Sequence, residues 1–160
     1  KVKQLSKGMI AQLHLAIVMA IDVKLLVLDE PTLGLDIIYR KQFYTNLLND
    51  YFDEERTIII TTHQVEEVEH ILSDLIFIKD GRIALDCSME KVQESFSELM
   101  VAPDNAAAAR ELKPLNEREL FGRHIFLYEN ADREQLKALG ELHTPSVADL
   151  FVATMNGGES

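Results

Sequence analysis

The run Leu25-Leu26-Val27-Leu28-Asp29-Glu30, followed at once by Pro31-Thr32-Leu33-Gly34-Leu35-Asp36, constrains this chain more than any other stretch. A short continuous apolar run is expected for a parallel strand covered on both faces. Pro31 and Gly34 make the segment from Glu30 to Asp36 a loop. The strand therefore delivers two carboxylates to the C-terminal edge of a sheet, where open α/β proteins bind ligands. Asp29 can hold Mg²⁺ there, because a hard cation takes oxygen ligands. Glu30 can polarise a water for attack on a terminal phosphate. Taken alone, the same residues also suit a strand that simply runs into a polar loop.

The surrounding sequence alternates helical and strand patterns. Ser6 is placed to cap a helix over Met9 to Ile21, whose apolar residues cover nearly every face and predict burial. Ile37 to Tyr51 has helical spacing, with Ile38, Phe43, Leu47, Leu48 and Tyr51 expected on one face. Thr57-Ile58-Ile59-Ile60-Thr61-Thr62 is a β-branched strand, and Gln64 to Leu72 a short acidic helix. Asp80-Gly81 between Leu75–Ile78 and Ile83–Leu85 predicts a hairpin, since a tight turn needs positive φ there. Ser88 caps an expected helix from Met89 to Leu99.

Beyond it, Val101 to Ala109 shifts in composition, with Pro103, Asn105 and four alanines, and suggests a boundary or linker helix. His124 to Tyr128 reads as a strand and Arg133 to Leu142 as a helix. A last helix opens at Thr144-Pro145 and is ended by Gly157-Gly158. Its Val147, Leu150, Phe151 and Met155 are helix-spaced and read as core.

Composition narrows the function. The chain has 160 residues and a net charge of −11. That balance argues against nucleic acid as a partner, because a grip on phosphates needs Lys and Arg to displace counterions. The single Cys87 allows no internal disulfide. No apolar run reaches the ~18 residues of a membrane span. The chain starts at Lys1 without methionine and is expected to be a piece of something longer.

The order of four motifs carries the most specific signal. Leu5-Ser6-Lys7-Gly8-Met9 lies before the Asp29-Glu30 strand, Pro31 to Asp36 follows it directly, and His63 comes just after the second strand. In this order they resemble the second half of an ABC-type ATP-binding domain: signature loop, Walker B strand with its glutamate, D-loop and switch histidine. The resemblance covers about residues 1–90 and is nearest to subunits of exporters whose membrane subunits are separate chains. It implies a partial P-loop NTPase-like α/β sheet flanked by helices over residues 1–100, with a small α+β accessory segment over 101–160. It also implies ATP and Mg²⁺ as cofactors.

The resemblance assigns roles residue by residue. Glu30 would orient the attacking water, Asp29 would serve Mg²⁺, and His63 would contact the γ-phosphate. Ser6 and Gly8 would contact ATP held by the opposite subunit, where a helix N-terminus favours an anion. Asp36 would lie in the loop that crosses between subunits, and can equally cap the following helix. The partners implied are a second ATP-binding subunit and integral membrane permease subunits, at the inner face of the cell membrane in the cytoplasm.

Two departures matter. The signature glutamine is replaced by Met9, and no Gly-x-x-x-x-Gly-Lys-Ser/Thr phosphate loop occurs in the sequence. Without that loop there is no backbone cradle for the phosphates. Besides the transporter subunit, two further readings stand open at this point. One is a non-transport ABC ATPase of DNA maintenance or translation, against which the acidic charge counts. The other is a catalytically inert fragment whose exposed strand edges and apolar faces favour self-association.

Overall fold

The computed structural model describes residues 5–156, apart from the side chains of Lys7 and Asn156. The helix stop expected at Gly157-Gly158 lies outside the described residues. The chain divides into two compact units, Lys1–Ile71 and Leu72–Ser160.

In the first unit, helix α1 (Lys7–Met19) begins two residues earlier than the sequence pattern predicts. The Ser6 side chain accepts the Met9 N–H at 3.2 Å and fixes that start. Strands β1 (Leu25–Asp29) and β2 (Thr57–Thr61) pair in parallel, as their apolar runs require. Between them, helix α2 (Ile37–Asn46) continues into a π-helical turn (Leu47–Tyr51). Asp36 caps α2 by accepting the N–H groups of Ile38 and Tyr39. After β2 come helix α3 (Val65–Val68) and a 3₁₀ turn (Glu69–Ile71).

Burial in this unit departs from expectation in three places. Helix α1 is not buried: Met9, Leu13 and Ile17 are exposed. Strand β1 is covered on one face, with Leu26 and Leu28 buried but Leu25 and Val27 exposed by 54% and 58%. On α2 and the π-helical turn that continues it, Phe43, Leu47 and Tyr51 are buried together with Tyr44, whereas Ile38 and Leu48 are exposed. Ile38 precedes Phe43 by five positions, which rotates it off the face that Phe43 shares with Leu47.

The second unit opens with the expected hairpin, β3 (Asp74–Lys79) and β4 (Arg82–Ser88). Asp80 and Gly81 have φ of +50° and +74°, the left-handed values such a turn demands. Helix α4 (Met89–Ser95), capped by Ser88, then ends four residues before the predicted stop. Phe96–Val101 is strand β5 instead of helix. Pairing decided this: β5 is hydrogen-bonded on both sides, to β7 (Arg123–Glu129) and to β8 (Glu141–His143). With β6 (Asn116–Leu120) at the other edge, the antiparallel order is β6-β7-β5-β8. Neither β6 nor β8 was legible in the sequence, being polar and three residues long respectively.

Helices α5 (Ala106–Glu111) and α6 (Arg133–Leu139) cover one face of this sheet. Leu99, Val101, Phe126, Tyr128 and Leu136 form the core with Ala106 and Ala109. Of the alanine run, Ala106 and Ala109 pack against the strands, their small side chains letting α5 approach, while Ala107 and Ala108 are exposed. Gly140 ends α6 where a Cβ would sit 2.3 Å from the Met100 carbonyl oxygen, so only glycine fits between α6 and β8. Helix α7 (Val147–Asn156) starts at Val147, preceded by Ser146 as its cap, two residues past the expected Thr144-Pro145 opening. The Ser146 hydroxyl accepts the Asp149 N–H at 3.1 Å. Val147 and Leu150 of α7 are buried, and Phe151 meets Phe77 edge-on at 5.2 Å.

Candidate active site

Parallel pairing of β1 with β2 sets Asp29 opposite Thr61. The Thr61 hydroxyl donates a short hydrogen bond to Asp29 Oδ1. Glu30 still donates its N–H to the Thr61 carbonyl at 2.8 Å, but its φ of +43° turns the chain out of the strand. That left-handed conformation is uncommon for a residue other than glycine and gathers at functional sites.

The turn carries the Glu30 carboxylate across to the end of β2. There Oε2 accepts the Thr62 hydroxyl at 3.0 Å and Oε1 accepts the His63 backbone N–H at 2.9 Å. The His63 ring places Nδ1 2.6 Å from the same Oε1. A carboxylate only accepts, so Nδ1 carries the proton and Nε2 is left to meet a ligand. The His63 side chain is 70% exposed, against 28% for Glu30, so the imidazole stands on the solvent side of the pair. The hydrogen bond from His63 holds the Glu30 carboxyl below its ordinary range, against the opposing effect of partial burial. Glu30 is thus an ionised acceptor at neutral pH.

Three of the residues singled out in the sequence, Asp29, Glu30 and His63, come together here. Thr61 and Thr62 were missed, although two hydroxyls closing a β-branched apolar run are a visible signal. Asp29 has one carboxylate oxygen engaged by Thr61. Mg²⁺ keeps several waters and takes only one or two carboxylates beside substrate phosphates. The donor set fits such an ion in company with a phosphate. Among the described residues no group of three or more His, Cys, Asp and Glu gathers to cage a metal on its own.

The other singled-out residues form a second group in the same unit. Ser6 and Gly8 face Gly34 and Asp36 across a cleft of about 320 Å³. Gly8 is the second residue of α1 rather than part of the preceding loop, and a Cβ there would lie 3.7 Å from the Gly34 carbonyl, an ordinary contact. Ser6 and Asp36 both serve as helix caps.

Comparison with known proteins places the chain in a family. No family model matches the chain. Among curated proteins, the Nod factor export ATP-binding protein I of Burkholderia thailandensis is 34% identical over 164 residues, 95% of this chain and 54% of that protein. The ABC transporter ATP-binding protein YtrB of Bacillus subtilis is 24% identical over 168 residues, 98% of this chain and 57% of that protein. The chain belongs to the ABC transporter ATP-binding proteins. The lantibiotic transport ATP-binding protein SrtF of Streptococcus pyogenes matches 85 residues at 41% identity, 53% of this chain. The chain spans about half the length of the curated relatives it matches. Among its described residues no helix is long and apolar enough to cross a membrane.

Proposed function

We propose that this ABC ATP-binding chain is the water-activating part of an exporter-type ATPase subunit that powers membrane transport. The observation that carries the reading is the Glu30 carboxylate, ionised and turned by its own backbone onto Thr62 and His63 at the strand ends.

In this reading Glu30 accepts a proton from a water as its oxygen attacks the γ-phosphate of ATP. The bond to the β-phosphate breaks, and ADP and phosphate leave. His63 keeps its Nδ1 proton on Glu30 and turns Nε2 to the γ-phosphate, a contact that is a hydrogen bond only with a proton on Nε2 as well, so the ring acts there as imidazolium. Mg²⁺, when bound, neutralises charge on the phosphates, and Asp29 is the residue that would hold it. Ser6, Gly8 and Asp36 serve the ATP of a facing subunit in a head-to-tail pair. Their cleft at the start of α1 supports this, since free N–H groups there favour an anion.

The names of the relatives, one for Nod factor export and one for lantibiotic transport, support the transporter class over an ATPase of DNA maintenance or translation. The partners are then a second ATP-binding subunit and membrane permease subunits, at the inner face of the cell membrane. Residues 1–100 belong to the ATP-binding domain and residues 101–160 to an accessory segment. With no phosphate loop in its sequence, the chain is inactive by itself.

Substitution Glu30→Gln in the complete subunit tests the reading. Turnover is expected to vanish while ATP binding persists, measured by phosphate release and by nucleotide titration. Retained hydrolysis would sink the role given to Glu30.

A further inference from the structure

Arg40 stands outside every motif that the site uses, yet it ties the two loops of the site together. Its Nε donates to the Leu35 carbonyl at 2.7 Å, within the loop that follows Glu30. Its Nη1 donates to Gln64 Oε1 at 2.9 Å, in the residue after His63. The same nitrogen forms an ion pair with Glu67 of α3. Glu67 in turn reaches back: its Oε2 accepts the hydroxyl of Thr32, two residues past Glu30, at 3.2 Å. Thr32 and Tyr44 are each 2% exposed, and the Tyr44 hydroxyl lies 3.4 Å from Thr32 Oγ1. Because Thr32 donates to the carboxylate, Tyr44 donates to Thr32. The planar guanidinium thus bonds three groups, one in the loop after Glu30 and two at the start and within α3, a geometry that lysine cannot reproduce.

We infer that Arg40 and Glu67 are positioning residues: a polar clamp that fixes the separation of the loop after Glu30 from the loop after His63, and so holds the imidazole on the carboxylate. The inference rests on the roles proposed above for Glu30 and His63. The clamp is joined to that pair through the backbone and through one further bond. The Gln64 N–H donates to Thr62 Oγ1 at 3.0 Å, and that hydroxyl is the one bound to Glu30. The two loops have no strand ladder between them beyond Glu30 N–H to Thr61 carbonyl. Side chains therefore set their spacing, and a misplacement near 1 Å at a catalytic group costs on the order of a hundredfold in rate.

Two measurements on Arg40→Ala test this. In the 160-residue chain, amide hydrogen exchange at His63 and Gln64 is expected to speed up about tenfold or more, while Leu26, Val27 and Leu28 keep their rates. In the complete ATPase, kcat is expected to fall about ten- to a hundredfold with KM for ATP unchanged. Glu67→Gln keeps an acceptor for Thr32 but loses the charge, and is expected to show the same local exchange at smaller size. If Arg40→Ala does not fold, Arg40→Lys supplies the same readings, since it keeps the charge and loses the bond to Leu35.

Unchanged exchange at His63 and Gln64 would overturn the clamp. So would faster exchange spread evenly over β1 and β2, which marks a general stabilising role. An unchanged kcat also overturns it if Glu30→Gln abolishes turnover. If Glu30→Gln itself leaves turnover intact while the local exchange changes as expected, the clamp stands and the catalytic reading falls.

Discussion

His63 Nδ1 lies 2.6 Å from Glu30 Oε1, and the His63 backbone N–H donates to that same oxygen at 2.9 Å. One residue therefore grips the carboxylate by ring and backbone at once. In His63→Ala the backbone bond stays and the ring bond goes. The Glu30 carboxyl is expected to titrate at higher pH in that variant, because its depressed value rests first on the ring hydrogen bond. Carboxyl ¹³C shifts followed from pH 2 to 7 read this directly. A group with a lowered folded value stabilises above its unfolded value and loses that contribution as pH falls through the folded one. The wild-type site should accordingly loosen only in acid.

Gly140 offers a steric test of the second unit. A Cβ at this position would lie 2.3 Å from the Met100 carbonyl oxygen and 2.9 Å from a methyl of Val101. Backbone cannot yield as a flexible side chain does. Gly140→Ala is expected to cost about 1–3 kcal/mol by overpacking, read as a lower Tm. Faster amide exchange should concentrate in β8 and in the half of β5 paired to it.

Tyr128 donates its hydroxyl to the Ala109 carbonyl at 2.7 Å inside the core. Burial pushes its pKa up to about 12. Ultraviolet titration of the folded chain should leave this phenol protonated above the ordinary phenol range. Its raised value contributes stability below the ordinary phenol range, and the contribution is lost as pH climbs toward 12. Tyr128→Phe should remove that alkaline loss and destabilise by about 0.5–1.5 kcal/mol, the net worth of one buried hydrogen bond, since the Ala109 carbonyl keeps the Leu112 N–H at 3.1 Å.

Glu117 accepts two bonds from the Arg110 guanidinium, at 2.8 and 2.6 Å, and faces His124 Nδ1 at 2.9 Å. Arg110 holds its carboxyl below the ordinary range, outweighing desolvation, which comes next in size and raises it, and His124 adds to the lowering. The favourable contribution is present above the ordinary carboxylate value and lost as pH falls through the lowered one. Thermal unfolding of Glu117→Gln should accordingly fall below wild type near neutrality and converge with it in acid. Curves that stay parallel down to pH 2 would mean that the pair does not feed stability.

The sequence by itself determined the elements whose signal is local. An apolar run ending in Asp29-Glu30 gave a strand end, Asp80-Gly81 gave a turn, and Ser6, Asp36 and Ser88 gave helix starts. Each depends on hydrogen bonds and φ angles within a few residues, so pattern and chemistry suffice. Through the order of motifs it also grouped Glu30 with His63, 33 positions on, and the structure puts the two side chains in contact.

Only the tertiary structure decided the rest. Phe96–Val101 became a strand because partners waited on both its edges, and no local preference of those residues announces that. The polar β6 was invisible because an edge strand is held by its neighbour's backbone rather than by its own apolar pattern. The exposure of Leu25 and Val27 reflects that no layer among the described residues covers that face of β1. The left-handed turn at Glu30, and the reach of Arg40 to Gln64 and Glu67, likewise appeared only once β1 and β2 were side by side. A residue's type fixes what it can bond, but the distance to a partner far along the chain is set by packing.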